Sequence, residues 1–295
     1  MSTASESPVV AGPVPATSAN KPVRSAASLR RHYEIERELA DRLRNAPREQ
    51  RRGLYRTVYN ELFTRVEDHP QNQRKRNPVR QADMTRRQLK LLERFLGPES
   101  VYVEIGAGDC HLAMEVARRV RRSYAIDVSD LIAGGDDRPQ NFTLLISDGV
   151  GIDLPDNTAQ VAYSNQLMEH LHPDDARDQL REVARVLAPA GRYVCVTPHR
   201  FSGPQDISAG FDDEATGFHL KEYTYGEVRE LFREAGLRST SAWVAVKGKF
   251  IRVPEVVLLA GERLLGLVPR RVRKWLADGV LRSVFTQVRI AGQKS

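Results

Sequence analysis

The chain has only two cysteines in 295 residues, Cys110 and Cys195, too few for a disulfide framework and not in a spacing that pairs metal ligands. A reducing compartment is the simpler inference, and a cytoplasmic protein is expected. No apolar run approaches the roughly 20 residues that a membrane-spanning helix needs. The Val9-Val10-Ala11 stretch near the N-terminus has no basic leader and is interrupted by Pro8, Pro13 and Pro15, so it does not read as a signal peptide. Aromatic residues make up only 7%, and the basic stretches lack the interleaved aromatics on which single-stranded bases stack. There is no internal repeat. Charge is plentiful but uneven: the net charge is +7, while Lys247 to Ser295 alone hold eleven Lys or Arg against Glu255, Glu262 and Asp278.

A hydrophobic content of 41% is enough for one large α/β domain with appendages. The informative segment is Val101 to Cys110, V-Y-V-E-I-G-A-G-D-C. Val101, Tyr102, Val103 and Ile105 predict a short buried strand, Gly106 and Gly108 a tight turn, and His111 to Ala117 the start of a helix. Such a corner lets a nucleotide approach the main chain where helix N–H groups point outward. A dinucleotide fingerprint G-x-G-x-x-G would need glycine at His111, which weakens a hydride-transfer reading. A second strand, Ser123 to Asp127, ends in a carboxylate 21 residues after Gly106, the spacing at which an acid accepts ribose hydroxyls. Further strands are predicted at Phe142–Ile146, Ala159–Asn165 and Gly191–Pro198. Glu104, Asp127 and Asp148 thus stand at three successive strand ends, where ligands of open α/β sheets bind.

With Glu104, Gly106 and Gly108 in place and Cys110 at the usual third glycine, the segment resembles motif I of class I S-adenosylmethionine-dependent methyltransferases. The resemblance implies S-adenosylmethionine as cofactor. It also implies a Rossmann-like sheet of seven strands in the order 3-2-1-4-5-7-6, with Leu237–Val246 as the sixth strand and Phe285–Ile290 as the antiparallel seventh. The family places an acid after the third strand to receive the adenine amino group, which here is Asp148. Gly149 beside it and Asn165 at the end of the fourth strand complete the expected cofactor contacts.

The acceptor must be read from the fourth and fifth strand ends. Ser164-Asn165-Gln166-Leu167 lacks the N/D-P-P-Y/F motif of enzymes that methylate planar nitrogens, so base N-methylation is disfavoured by the resemblance. Methyl transfer to a hydroxyl needs a base or a metal, and histidine can serve either. His170, His199 and His219 are the catalytic candidates, in segments expected to converge over the carboxyl edge of the sheet. Glu169-His170, with His219 downstream, also resembles the Glu-x-x-Glu-His metal site of ubiquinone-pathway and small-RNA O-methyltransferases, with Gln166 where the first glutamate would be. The same residues read as a metal-free cluster, and no metal site is assigned. In the polar loop from Thr197 to Thr224, Arg200, Asp206, Asp212, Asp213 and Glu214 offer hydrogen bonds to a polyhydroxylated acceptor.

The organisation divides into a Ser-, Ala- and Pro-rich tail over 1–27 that is expected to be disordered, a basic helical extension over 28–98, and a methyltransferase domain over 99–295. Within the last, 247–284 reads as an amphipathic helical insertion. It either caps the active site or a partner copy, or lies on a membrane surface. The leading reading is O-methylation of a sugar, glycolipid or other small hydroxylated metabolite. The alternatives are an RNA methyltransferase, whose basic segments would bind phosphates, and a non-catalytic adenosylmethionine-binding partner subunit.

Overall fold

The computed structural model describes residues 24–69, 78–129 and 138–295. Most of the tail expected over 1–27 and the basic connection over 70–77 lie outside the described residues. Two helices come first, α1 (Ala26–Asn45) and α2 (Arg48–Arg65), broken at Ala46-Pro47 where proline cannot continue a helix. Helix α3 (Pro78–Leu92) leads to β1 (Val101–Ile105), followed by α4 (His111–Ala117), β2 (Arg122–Asp127), β3 (Phe142–Ile146) and β4 (Ala159–Asn165). Next are α5 (Pro173–Val186), β5 (Leu187–Pro198), α6 (Tyr225–Glu234) and β6 (Leu237–Val246). Helix α5 begins with His172 as N-cap, Pro173 in its first turn and Asp174 and Asp175 facing its positive end. Helix α6 is opened by a reciprocal capping box between Thr224 and Glu227.

With β7 (Lys249–Val253) and β8 (Gln287–Lys294), the described sheet has eight strands in the order β3-β2-β1-β4-β5-β8-β6-β7, with β1 to β5 parallel and β8 antiparallel between β5 and β6. This is the expected Rossmann-like arrangement with one strand added at its edge. The addition corrects the helical reading of 247–284. Lys247 and Gly248 both take positive φ (47° and 77°) and form a two-residue hairpin turn, which pairs β7 (Lys249–Val253) with β6. Helices α7 (Glu255–Gly266), α8 (Arg270–Asp278) and α9 (Arg282–Phe285) follow. The last strand starts at Gln287 rather than Phe285, because Phe285 is drawn into a small cluster with Phe201, Leu265 and Ala277.

Strand alternation distributes the core over both sheet faces. Tyr102, Tyr163, Val194 and Val196 face α3 and α4, together with Leu92 and Val116. Val103, Ile105, Ala162 and Cys195 face α5 and α6. Ile35, Leu39 and Leu43 of α1 and Tyr55, Val58 and Leu62 of α2 belong to that second cluster, so both N-terminal helices share the core of the sheet. Arg51 of α2 forms a two-pronged pair with Asp175 of α5 (2.7 and 2.9 Å), and Tyr55 adds a third hydrogen bond at 2.7 Å. This bracing sets α2 over the carboxyl ends of β1 to β4.

Candidate functional site

At those strand ends lies a cavity of about 400 Å³. Its floor is Ile105, Gly106 and Gly108 after β1, Ile126 and Asp127 ending β2, Ser147 and Gly149 after β3, and Gln166, Leu167 and His170 after β4. Tyr55, Tyr59 and Phe63 of α2 form its roof, and Gln179 of α5 closes one side. Two glycines make this shape possible. Gly106 has φ +70°, and a Cβ there would stand 2.8 Å from Leu167 Cδ1. Gly149 has φ +94°, and a Cβ there would stand 2.9 Å from the Tyr55 ring, so its bareness lets α2 close down.

Asp127 reaches the cavity with both carboxylate oxygens oriented: Oδ2 accepts from the Gly108 N–H at 2.7 Å and Oδ1 from the Ser129 N–H at 3.2 Å. Cys110, at the position of the usual third glycine, has φ +61°, the left-handed conformation that explains why glycine is favoured there. Glu104 lies buried behind the cavity wall, its Oε2 without a hydrogen-bond partner among the described residues, and burial followed by the charge of Asp109 holds its carboxyl well above the usual range. Gln166 is forced to φ +56°, and its amide nitrogen is buried in the cavity lining without a hydrogen-bond partner among the described residues.

Beneath His170 sits a cluster of titratable groups. His170 Nδ1 lies 2.9 Å from the Phe218 carbonyl oxygen, which marks it as the N–H and leaves Nε2 with the lone pair. Burial, then the charge of His219, pushes this imidazole down to about 3. Glu169 is fully buried, accepts from the Thr197 hydroxyl at 2.9 Å through Oε2, and leaves Oε1 unpartnered 4.0 Å from His170 Nε2. Burial raises its carboxyl to about 7 against the opposing charge of His219. His219 stands edge-on to His170 with ring centres 5.1 Å apart and bonds Glu222 at 2.7 Å. Burial lowers its pKa, but the Glu222 hydrogen bond and the charge of Glu169 outweigh that and hold it at about 8. One ligand atom from each of Glu169, His170 and His219 could meet within 4.8 Å of the others.

Other candidates go elsewhere. His199 is fully buried, bonds Glu262 of α7 at 2.8 Å and accepts from the Phe201 N–H, so it joins β5 to α7 instead of facing the cavity. Asp148 turns its Oδ1 to the Val150 and Gly151 N–H groups (2.9 and 2.7 Å) and its Oδ2 toward Arg52. Asn165 points to the other sheet face, into a separate cavity with Tyr163, Arg87 and Arg289. Most of the polar loop residues are consumed internally: Arg200 pairs with Glu227, Asp206 holds the Ser208 and His219 N–H groups, Asp212 accepts from Tyr33, and Asp213 pairs with Arg270. In their place the structure brings Tyr55, Tyr59, Phe63 and Gln179 to the cavity, none of which a local motif marks.

A family model described as a methyltransferase domain matches residues 103–195, from within β1 to β5 and therefore across the whole floor of this cavity. Those residues form a methyltransferase domain, on a sheet whose strand order is that of the class I S-adenosylmethionine-dependent methyltransferases. The cofactor of this methyltransferase is S-adenosylmethionine. Among solved structures, the methyltransferase resembles the Burkholderia thailandensis 1,6-didemethyltoxoflavin-N1-methyltransferase, which holds 1,6-didemethyltoxoflavin and S-adenosylhomocysteine. That likeness has 14% identity and a TM-score of 0.53, and covers 85% of this chain and 91% of the other. It also resembles a chain of the complex between the Haloferax volcanii Trm112 methyltransferase activator and a methyltransferase, at 17% identity and a TM-score of 0.51, covering 73% of this chain and 94% of that one. At these identities the likeness is one of fold. No curated protein sequence matches the methyltransferase.

Proposed function

We propose that the cavity under α2 holds S-adenosylmethionine and that the methyltransferase methylates a hydroxyl of a small polyhydroxylated molecule, such as a sugar or a glycolipid headgroup. The observation that carries this reading is the chemistry of the lining among the described residues: one oriented carboxylate, a bare glycine turn, an orphaned amide and three aromatic rings, with no Lys or Arg. A site for an RNA backbone would need cations at the acceptor, and none of the described residues lining the cavity is a Lys or Arg. The similar B. thailandensis enzyme also holds a small molecule.

In this reading the outer lone pairs of Asp127 accept the ribose hydroxyls. Gly106 and Gly108 let the amino-acid end approach the main chain, and the Gln166 amide donates to its carboxylate. Gln179, whose Nε2 is committed to the Gly149 carbonyl at 2.7 Å, keeps its amide oxygen for the adenine amino group in place of Asp148. Bound S-adenosylmethionine supplies an electrophilic methyl group on a sulfonium. His170 Nε2 takes the hydroxyl proton of the acceptor, and the Glu169 carboxylate 4.0 Å away stabilises the imidazolium that forms. His219 fixes the His170 ring through its edge-on contact. A second reading is favoured by one observation, the convergence of Glu169, His170 and His219 on a common point: a divalent ion held there would lower the pKa of the acceptor hydroxyl.

The test combines calorimetry with mass spectrometry of acceptors offered labelled methyl donor. Asp127→Ala should weaken adenosylmethionine binding by about tenfold or more, the loss of a charge-assisted hydrogen-bond pair. NAD should show no comparable affinity for the wild type. His170→Ala should retain the cofactor and lose about a hundredfold or more in turnover. Unchanged affinity in the first variant refutes the cofactor assignment. Turnover abolished by chelator and restored by Mg²⁺ or Mn²⁺ selects the metal-assisted reading.

A further inference from the structure

Helices α7 and α8 turn only one side toward the protein. Leu265 of α7 and Ala277 of α8 pack with Phe201 and Phe285 in a cluster of four buried residues, while Leu258 enters the main core. Their outer sides are apolar as well. Of the eleven large hydrophobic side chains exposed among the described residues, eight fall between residues 251 and 280. Val256, Leu264 and Leu267 follow one another along and just past α7, and Val272, Trp275 and Val280 along and just past α8. Leu267 is 82% exposed and Trp275 69% exposed, although their cost in water is the same here as anywhere else.

The surround of this surface decides what covers it. Arg252, Arg263, Arg271 and Arg282 make no side-chain ion pair among the described residues. The acids of the segment are already engaged: Glu262 with buried His199, Glu255 with Arg229, and Asp278 with Lys274. Arg273 has its pKa lowered by burial and then by the charges of Arg200 and Arg270, the mark of a neighbourhood crowded with cations. A second copy is poorly suited, because an isologous contact would bring together two copies of a surface whose arginines are unpaired and whose acids are already engaged. No described helix is long and apolar enough to cross a membrane. Apolar side chains interleaved with unpaired arginines, with a tryptophan between them, match a layer of anionic headgroups above acyl chains.

We propose that α7, α8 and the adjoining β7 hairpin dock on an anionic lipid surface, with Leu264, Leu267 and Trp275 entering the headgroup and acyl boundary and Arg252, Arg263 and Arg271 on the phosphates. This surface does not include the cofactor cavity, and the proposal stands whether or not the acceptor is a lipid. The chain supplies its own probe. Trp243 is buried and Trp275 exposed, so a fluorescence change on docking reports Trp275.

The full chain is titrated with vesicles of phosphatidylglycerol and phosphatidylcholine in equal parts, and separately with phosphatidylcholine alone. The expected result is co-sedimentation and a blue-shifted emission with the mixed vesicles only, weakening as salt is raised. Arg263→Glu/Arg271→Glu and Leu264→Gln/Leu267→Gln should each weaken binding by about tenfold or more, while adenosylmethionine affinity and melting temperature stay at wild-type values. All four positions are exposed, so these variants should fold. Absence of binding to the mixed vesicles overturns the proposal, as does equal binding to phosphatidylcholine alone. A blue shift that appears on concentrating the protein without lipid, with dimers in solution, also overturns it in favour of a second copy. Loss of methyl transfer in Asp127→Ala leaves all of these outcomes untouched, so the two readings fail separately.

Discussion

At Gly106 the backbone and the pocket make the same demand. The positive φ excludes most side chains, and the missing Cβ is what lets Leu167 Cδ1 pack against the turn. Gly106→Ala should therefore strain the turn by roughly 1–3 kcal/mol and drive the Leu167 side chain toward the ligand. Calorimetry should show adenosylmethionine affinity lowered by about tenfold, with part of it restored when Leu167→Ala is added. Equal affinity in Gly106→Ala and wild type would show that the turn has no part in the site. Gly106, Gly108 and Asp127 were legible because motif and spacing are local properties of the chain. His170 was legible as part of a histidine cluster following β4. Which way a strand-end side chain turns is not local. His199 turned to Glu262, 63 residues away, and Asp148 to the N–H groups of its own loop, because each found a nearer partner than a ligand. Tyr55, Tyr59 and Phe63 carried no signal beyond an ordinary helical apolar stripe, since only the docking of α2 brings them over the cavity.

The docking of α2 rests on a few element-to-element contacts, of which Arg51 to Asp175 is the most deeply buried, with side chains 5% and 1% exposed. Burial alone would raise the Asp175 pKa, but the hydrogen bonds from Arg51 and Tyr55 outweigh it, and the carboxyl is held below its ordinary value. A group depressed in the folded state contributes stability that is present above its unfolded value of about 3.9 and is lost as pH falls through the folded value. Urea unfolding of the wild type should therefore weaken more steeply below about pH 4 than that of Asp175→Asn, whose side chain does not titrate. At pH 7, Asp175→Ala should cost about 3 kcal/mol or more, because it strands a buried guanidinium and a phenol. Parallel pH dependences for the two proteins would remove the pair from the acid response. The sequence showed a basic helical extension over 28–98, but not this bracket, whose partners are 124 residues apart. It also missed the β7 hairpin, because Lys247-Gly248 is a weaker turn signal than Asn-Gly and β7 is only five residues long.

Whether the N-terminal helices form an appendage or part of one folding unit is decided by where their apolar faces go. Ile35, Leu39, Leu43, Tyr55, Val58 and Leu62 sit in the same buried cluster as Ile105, Leu180 and Phe232, with no polar layer separating them. Removing them would expose the face of the cluster that supports the cavity floor. It would also strand Asp175, and it would leave the Phe218 N–H, which donates to Glu36 at 2.9 Å, without its acceptor. Asp212, bonded to Tyr33, and the Thr216 and Gly217 carbonyls, bonded to Arg44, would lose partners as well, so the loop carrying His219 would be freed. A fragment of residues 78–295 should therefore fail to give a cooperative thermal transition and should not bind adenosylmethionine, whereas residues 24–295 should match the full chain in both. A 78–295 fragment that melts cooperatively and binds the cofactor with wild-type affinity would show that the sheet folds independently. In that case α1 and α2 would be a detachable roof.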